Sequence, residues 1–172
     1  MALVEKGSDG ATIVEDSFTT VADEESFPES GDILVSLDRL RQDHKDLRAR
    51  DGAVGVWLRS DQSPRDLETA VEGELGWISL IALDFPTFGD GRGYSSARIL
   101  RERLGFKGEL RAIGDVLCEQ LAFMLRSGFD TFEMSSPNAL DEFSAVATEV
   151  RIVYQPTGDG QATAIDLRLG RN

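Results

Sequence analysis

A single cysteine, Cys118, and a single histidine, His44, are all that 172 residues supply of those two types. One cysteine excludes an internal disulfide and any Cys-ligated zinc or iron–sulfur centre. One histidine leaves few mechanisms that depend on imidazole. Positive charge is scarce as well: 18 Lys and Arg face 31 Asp and Glu, a formal net charge of −13. Such a chain has no overall basic surface with which to neutralise phosphates, which argues against nucleic acid as a partner. No apolar run approaches the length that spans a bilayer, and the opening MALVEKGSDG lacks the basic-then-apolar order of a secretory signal. The expectation is a cytoplasmic protein, in a reducing compartment, with neither membrane nor nucleic acid as partner.

The composition that is present, 41% apolar and 28% charged, is that of an ordinary globular domain with a hydrophobic core. Residues 1–31 carry eight acidic groups and one lysine, and read as a flexible or loosely attached acidic segment in which Thr12–Val14 could add an edge strand. Residues 32–155 read as a single α/β domain. Residues 156–172 read as a Gly/Asp/Gln-rich linker and a tail whose Ile165/Leu167/Leu169 alternation suggests a strand or a docked segment.

Within the domain, short apolar runs alternate with helical patterns. Strands are expected at Ile33–Leu37, Val54–Leu58, Trp77–Leu83, Glu109–Ile113, Thr131–Met134 and Arg151–Tyr154. Helices are expected at Arg39–Arg50, after the Ser63-Pro64-Arg65-Asp66 start, at Ser95–Leu104, at Val116–Ser127 with Asp115 as cap, and after Ser136-Pro137, with Leu140, Phe143, Ala147 and Val150 on one face. Strands separated by helices favour parallel pairing through right-handed crossovers. The fold class is therefore α/β with a mainly parallel sheet. An open doubly wound, Rossmann-like sheet is preferred, and a partial (βα) barrel is the alternative.

The most informative stretch is FPTFGDGRGYSSARILRERLGFKGELR. From Arg92 to Arg111 it holds six basic residues against Glu102 and Glu109, a net +4 inside an acidic chain. Parallel α/β folds bind ligands beyond the carboxyl ends of their strands, and the loop PTFGDGRG follows such a strand. Gly89, Gly91 and Gly93 permit tight turning and close approach. Arg92, Ser95 and the turn amides would then hold an oxyanion or a redox nucleotide, with Asp90, Tyr94 or Asp115 as proton carriers and Arg98 and Arg111 alongside. The bland reading pairs Asp90 with Arg92 and Arg98 with Glu102. NAD(P) or flavin binding departs from the dinucleotide pattern in two ways: the spacing is G-x-G-x-G, and Pro86-Thr87-Phe88 intervenes between strand and turn. Cys118, in the first turn of a helix, reads as an apolar filler or a reactive thiolate, and His44 as a solvated surface residue.

The blocks FPTFGDGRGYSSARILRERLGF, GELRAIGDVLCEQ and RSGFDTFEM, with VGVWL at 54–58 and VYQP at 153–156, resemble an uncharacterised proteobacterial family. Its genes commonly neighbour that of the sulfite reductase haemoprotein, and its members are often labelled probable oxidoreductases of sulfite reduction. The resemblance implies a role in assimilatory sulfite reduction. On that footing the expectation is an accessory or oxidoreductase-type protein that binds an oxyanion or redox nucleotide at the Gly-rich loop. The alternative is a non-enzymatic module docking on the reductase, and a homodimer with Phe85–Phe88 at its interface is a third reading. The family carries no established catalytic residue. Gly89 stands where Thr or Ser is usual, and Cys118-Glu119 where Arg-Asp is.

Overall fold

The computed structural model describes residues 1–7, 10–149 and 163–170. Its strands are β1 (Ala2–Lys6), β2 (Ala11–Val14), β3 (Phe18–Thr20), β4 (Asp32–Ser36), β5 (Val54–Leu58), β6 (Ile78–Phe85), β7 (Glu109–Gly114) and β8 (Thr131–Met134). The helices are α1 (Leu37–Ala49), α2 (Pro64–Ala70), α3 (Arg92–Arg98, continued by a π-helical turn over Ile99–Arg103), α4 (Cys118–Ser127), α5 (Ala139–Glu149) and α6 (Ala164–Arg168).

The eight strands form one sheet in the order β2-β1-β8-β7-β6-β5-β4-β3. From β3 to β8 every neighbouring pair is parallel and follows chain order, while β1 pairs antiparallel with both β8 and β2. The strand order does not reverse anywhere among the described strands, as the switch point of a doubly wound sheet requires. The arrangement fits the partial-barrel alternative.

Chain length demands the curvature. Only residues 15–17 separate β2 from β3, yet these strands are the two edges of the sheet. Those residues can bridge at most about 14 Å, whereas the edges of a flat eight-stranded sheet lie about 34 Å apart. The sheet accordingly curls into a half-barrel.

The two faces of the sheet are unequal. Ile33, Val35, Val54, Val56, Leu58, Ile81, Leu83, Phe85, Leu110, Ala112, Phe132 and Val4 join the main core with Leu37, Leu40, Leu67, Ala97, Leu121, Met124 and Phe143 of the helices. All of α1–α5 therefore cover one face. The alternate positions Leu34, Leu80 and Ala82 form a small second cluster with Phe18, Trp57 and Ile113 on the other face, as the two-residue strand period dictates. Ser63 caps α2 with Pro64 at its first position and Asp66 closing the capping box, as expected from sequence.

Several expectations are corrected. Residues 1–31 are not a loosely attached tail: they supply three strands, and β1 lies inside the sheet with Val4 fully buried. The Ile165/Leu167/Leu169 alternation is not a strand. Thr163 and Asp166 form a capping box that starts α6, and local capping wins over a three-residue pattern. Leu140 is at the exposed side of α5, while Phe143 is buried. His44 is half-buried, with its ring edge-on to Trp77 at 5.6 Å, and neither its Nε2 nor Trp77 Nε1 has a hydrogen-bond partner among the described residues. The expected strand Arg151–Tyr154 lies outside the described residues.

Candidate functional site

The Gly-rich loop leaves β6 at the carboxyl end of the sheet, where ligand sites of parallel α/β folds lie. Its backbone is pinned at several points. Asp90 N–H donates to Thr87 O (3.0 Å), Phe88 N–H to the Asp115 carboxylate (2.9 Å), and Gln120 Nε2 to Phe88 O (3.3 Å). Asp115 N–H in turn donates to Phe85 O at 2.7 Å. Asp115 therefore holds the loop and does not cap α4, whose N-cap is Leu117. Gln120 Oε1 accepts from Leu117 N–H at 3.0 Å and closes that turn instead.

The predicted site residues scatter. Arg92 donates Nε to Asp90 Oδ1 (2.9 Å) and Nη2 to Asp90 Oδ2 (2.6 Å), and Nη2 also reaches Ser60 Oγ (2.9 Å). The bidentate pair holds the Asp90 carboxyl well below the usual carboxylate range. Its two side chains differ in exposure: Asp90 is 10% exposed and Arg92 60%. Arg98 pairs with Glu102 one turn on, at 3.0 Å. Ser95 is exposed on α3.

Arg111 is far from any such surface. It is buried in β7, donates to Glu109 (2.9 Å) and to Asp16 (2.8 Å), and lies 5.7 Å from the Phe18 ring. Arg101 turns inward to the Gly128, Phe106 and Gly108 carbonyls and to Asp130. The +4 run is therefore not one basic face. Arg92, Arg98 and Arg111 pair with carboxylates two to four residues away, while Arg101 and Arg111 also reach Asp130 and Asp16, which only the fold brings near.

The other groups read for chemistry are similarly occupied. Tyr94 packs between Phe85 (5.3 Å) and Phe123 (4.8 Å), and burial pushes its hydroxyl pKa up despite a hydrogen bond with Gln120. Cys118 interacts with the Glu119 carboxylate, which raises its thiol pKa, the opposite of what a reactive thiolate requires. No group of three or more His, Cys, Asp or Glu among the described residues is arranged to hold a metal ion.

Only one of the three loop glycines is needed for space. A Cβ on Gly93 would lie 2.5 Å from Cζ of the fully buried Phe85, whereas a Cβ on Gly89 would meet nothing within 4 Å. Gly93→Ala is thus expected to cost about 1–3 kcal/mol through overpacking, even though helix propensity favours alanine by about 1 kcal/mol. Gly89→Ala should stay within about 0.5 kcal/mol of the parent. Equal thermal midpoints for the two variants would contradict this account.

Two residues at this end were missed from the sequence. Ser60, after β5, supports Arg92. Asp84, the penultimate residue of β6, is half-buried, and burial together with the neighbouring Asp90 raises its pKa. The signal was available: Asp84 is the first charged residue at the carboxyl end of an apolar central strand. A carboxyl whose folded pKa is raised favours the folded state fully below the unfolded pKa, near 3.9. That contribution is lost as pH rises through the folded pKa. Asp84→Asn should therefore be more stable than the parent at pH 7, with the gap closing by about pH 4. Unfolding curves at the two pH values test this, and a gap that widens in acid would refute it.

Three large apolar side chains are exposed near this loop: Phe88 (56%), Phe123 (54%) and Leu117 (39%). They are linked through Gln120, which bonds to the Phe88 carbonyl and the Leu117 amide and touches Tyr94, whose ring lies on Phe123. Phe85, by contrast, is fully buried and cannot serve an interface.

The class so defined is an α/β half-barrel with exposed Phe88, Phe123 and Leu117 near the loop at the carboxyl end of β6. The chain belongs to the family of bacterial proteins of unknown function DUF934, whose model matches residues 55–165. No curated protein and no solved structure matches it. No helix among the described residues is long and apolar enough to cross a membrane.

Proposed function

We propose that the protein is a non-enzymatic docking module of assimilatory sulfite reduction, with the sulfite reductase haemoprotein as its partner. The observation that carries this reading is the pairing of opposites at one surface. Arg92, the group expected to clamp an anion, already holds Asp90 in a bidentate pair, while Phe88 and Phe123 are exposed on a backbone fixed by Asp115 and Gln120. Fixed, exposed aromatics are the residues that dominate interface energetics, and a pre-formed loop loses little entropy on docking. The net charge of −13 suits a partner with a basic surface around an apolar pocket. The sulfite reductase assignment comes from the family resemblance.

The test is a calorimetric titration of the full chain into the purified haemoprotein. Association that weakens steeply between low and physiological salt is expected. No heat at tens of micromolar protein in low salt would end the proposal. Deleting residues 1–31 is not a usable control, because it removes three strands of the sheet.

The oxyanion or redox-nucleotide reading retains one observation in its favour, the 60% exposure of the Arg92 side chain. A thermal shift with sulfite, sulfate, phosphate, NADPH, FAD or FMN that Arg92→Ala abolishes would support it over docking.

A further inference from the structure

The basic residues that the Gly-rich loop does not use reassemble at the opposite end of the half-barrel. Two neighbouring cavities of about 600 and 450 Å³ lie there, and both are lined by Phe106 and Lys107 at the entry to β7. The smaller is lined by Arg126 and by Lys6, Arg101 and Lys107 against Glu102 and Asp130, so that even with Arg126 left aside its cations outnumber its carboxylates by three to two. That sign is opposite to the −13 of the whole chain. Helix carboxyl ends would normally make this region negative. Here Arg101 covers one such end by donating to the carbonyl of Gly128, the cap of α4, and it also donates to the Phe106 and Gly108 carbonyls of the loop before β7. Lys6 and Lys107 are exposed and form no ion pair among the described residues. The larger cavity has a different character. Trp77, Leu75, Ile78 and Leu104 line it, and its Arg48 is paired with Glu74.

We propose that this two-lobed groove binds a nucleoside diphosphate or a similarly built phosphorylated heterocycle. The phosphates would lie in the Lys6/Lys107 lobe, where a concave wall focuses the positive field. The base would enter the Trp77 lobe, an indole being a suitable stacking surface for a flat ring. Each lobe falls within the roughly 300–1,000 Å³ typical of small-ligand sites. Lys107, which lines both cavities, is the hinge of the recognition. The site is independent of the docking surface at the other end of the strands.

The experiment is isothermal titration of the full chain with ADP and, separately, with inorganic pyrophosphate, alongside tryptophan fluorescence. ADP is expected to bind more tightly than pyrophosphate and to quench an emission that Trp77→Phe removes. Lys107→Glu and Lys6→Glu should each weaken ADP at least tenfold. Arg65→Glu, an exposed cation on α2, should leave it unchanged. Circular dichroism confirms that each variant is folded. Absence of ADP binding at millimolar concentration, indifference to both lysine substitutions, or pyrophosphate binding as tightly as ADP would each overturn the proposal.

Discussion

Arg101→Met, on the π-helical extension of α3, is expected to destabilise the protein by about 3 kcal/mol. The arginine is 21% exposed and serves four acceptors: the carbonyls of Gly128, Phe106 and Gly108, and the Asp130 carboxylate. Hydrogen bonds to a charged group contribute about 1.5–3 kcal/mol each, and a buried acceptor left without a donor costs about 1–3 kcal/mol. The sum is discounted because Asp130, at 46% exposure, can regain water. Asp130 also accepts from Leu110 N–H at 2.8 Å, and its carbonyl accepts from Lys6 N–H at 2.9 Å. Arg101 thereby ties the helix to β7, β8 and β1 together. For a chain of this size 1 kcal/mol moves the thermal midpoint by about 2–4 °C, so a fall of about 6–12 °C is expected. Arg101→Lys should recover only part of it, since an ammonium cannot span a fork of four acceptors. A methionine variant within 1 kcal/mol of the parent in urea unfolding would show that the arginine is an ornament of the surface.

The same residue shows where sequence reading succeeds and where it stops. Val54–Leu58 and Thr131–Met134 were legible to the residue, because a buried parallel strand is an apolar run stopped by turn residues at both ends. Of the N-terminal strands only the edge strand at Thr12–Val14 was legible, and it forms most of β2. In β1 only Val4 is buried and β3 has no fully buried residue, so their alternation is too weak to stand out from an acidic segment. Strand order was ambiguous for a different reason: helices between parallel strands are common to doubly wound sheets and partial barrels. Here the three-residue link between the edge strands decides for curvature, and it is informative only once the edges are known. The basic run from Arg92 to Arg111 is legible as a charge count, and so is the local pairing of Arg92 with Asp90 and of Arg98 with Glu102. Asp90 and Glu102 lie close enough in sequence to be anticipated as partners. Asp16, Asp130 and the Gly128 carbonyl reach their arginines only through tertiary packing.

At the proposed docking surface the largest expected effect is on affinity with stability held constant. Phe88→Ser combined with Phe123→Ser should abolish measurable association with the haemoprotein. A buried aromatic anchor typically contributes about 2 kcal/mol or more, and two of them correspond to a loss of roughly 10³-fold in the dissociation constant. Both rings are more than half exposed in the free chain, so their removal takes little from the core. Phe123 does contribute one edge contact to Tyr94, an interaction worth about 0.5–1.5 kcal/mol beyond burial. Any fall in midpoint should therefore come from Phe123→Ser and not from Phe88→Ser. The charge contribution separates cleanly. Neutralising rim carboxylates such as Glu119 should slow association and flatten the salt dependence, whereas losing the rings should speed dissociation at every salt concentration. Stopped-flow rates measured at two ionic strengths distinguish these outcomes. If the double serine variant still binds and only the charge variants fail, then the surface attracts through its acidity alone, and the fixed geometry of the Phe88 loop serves the fold and not the partner.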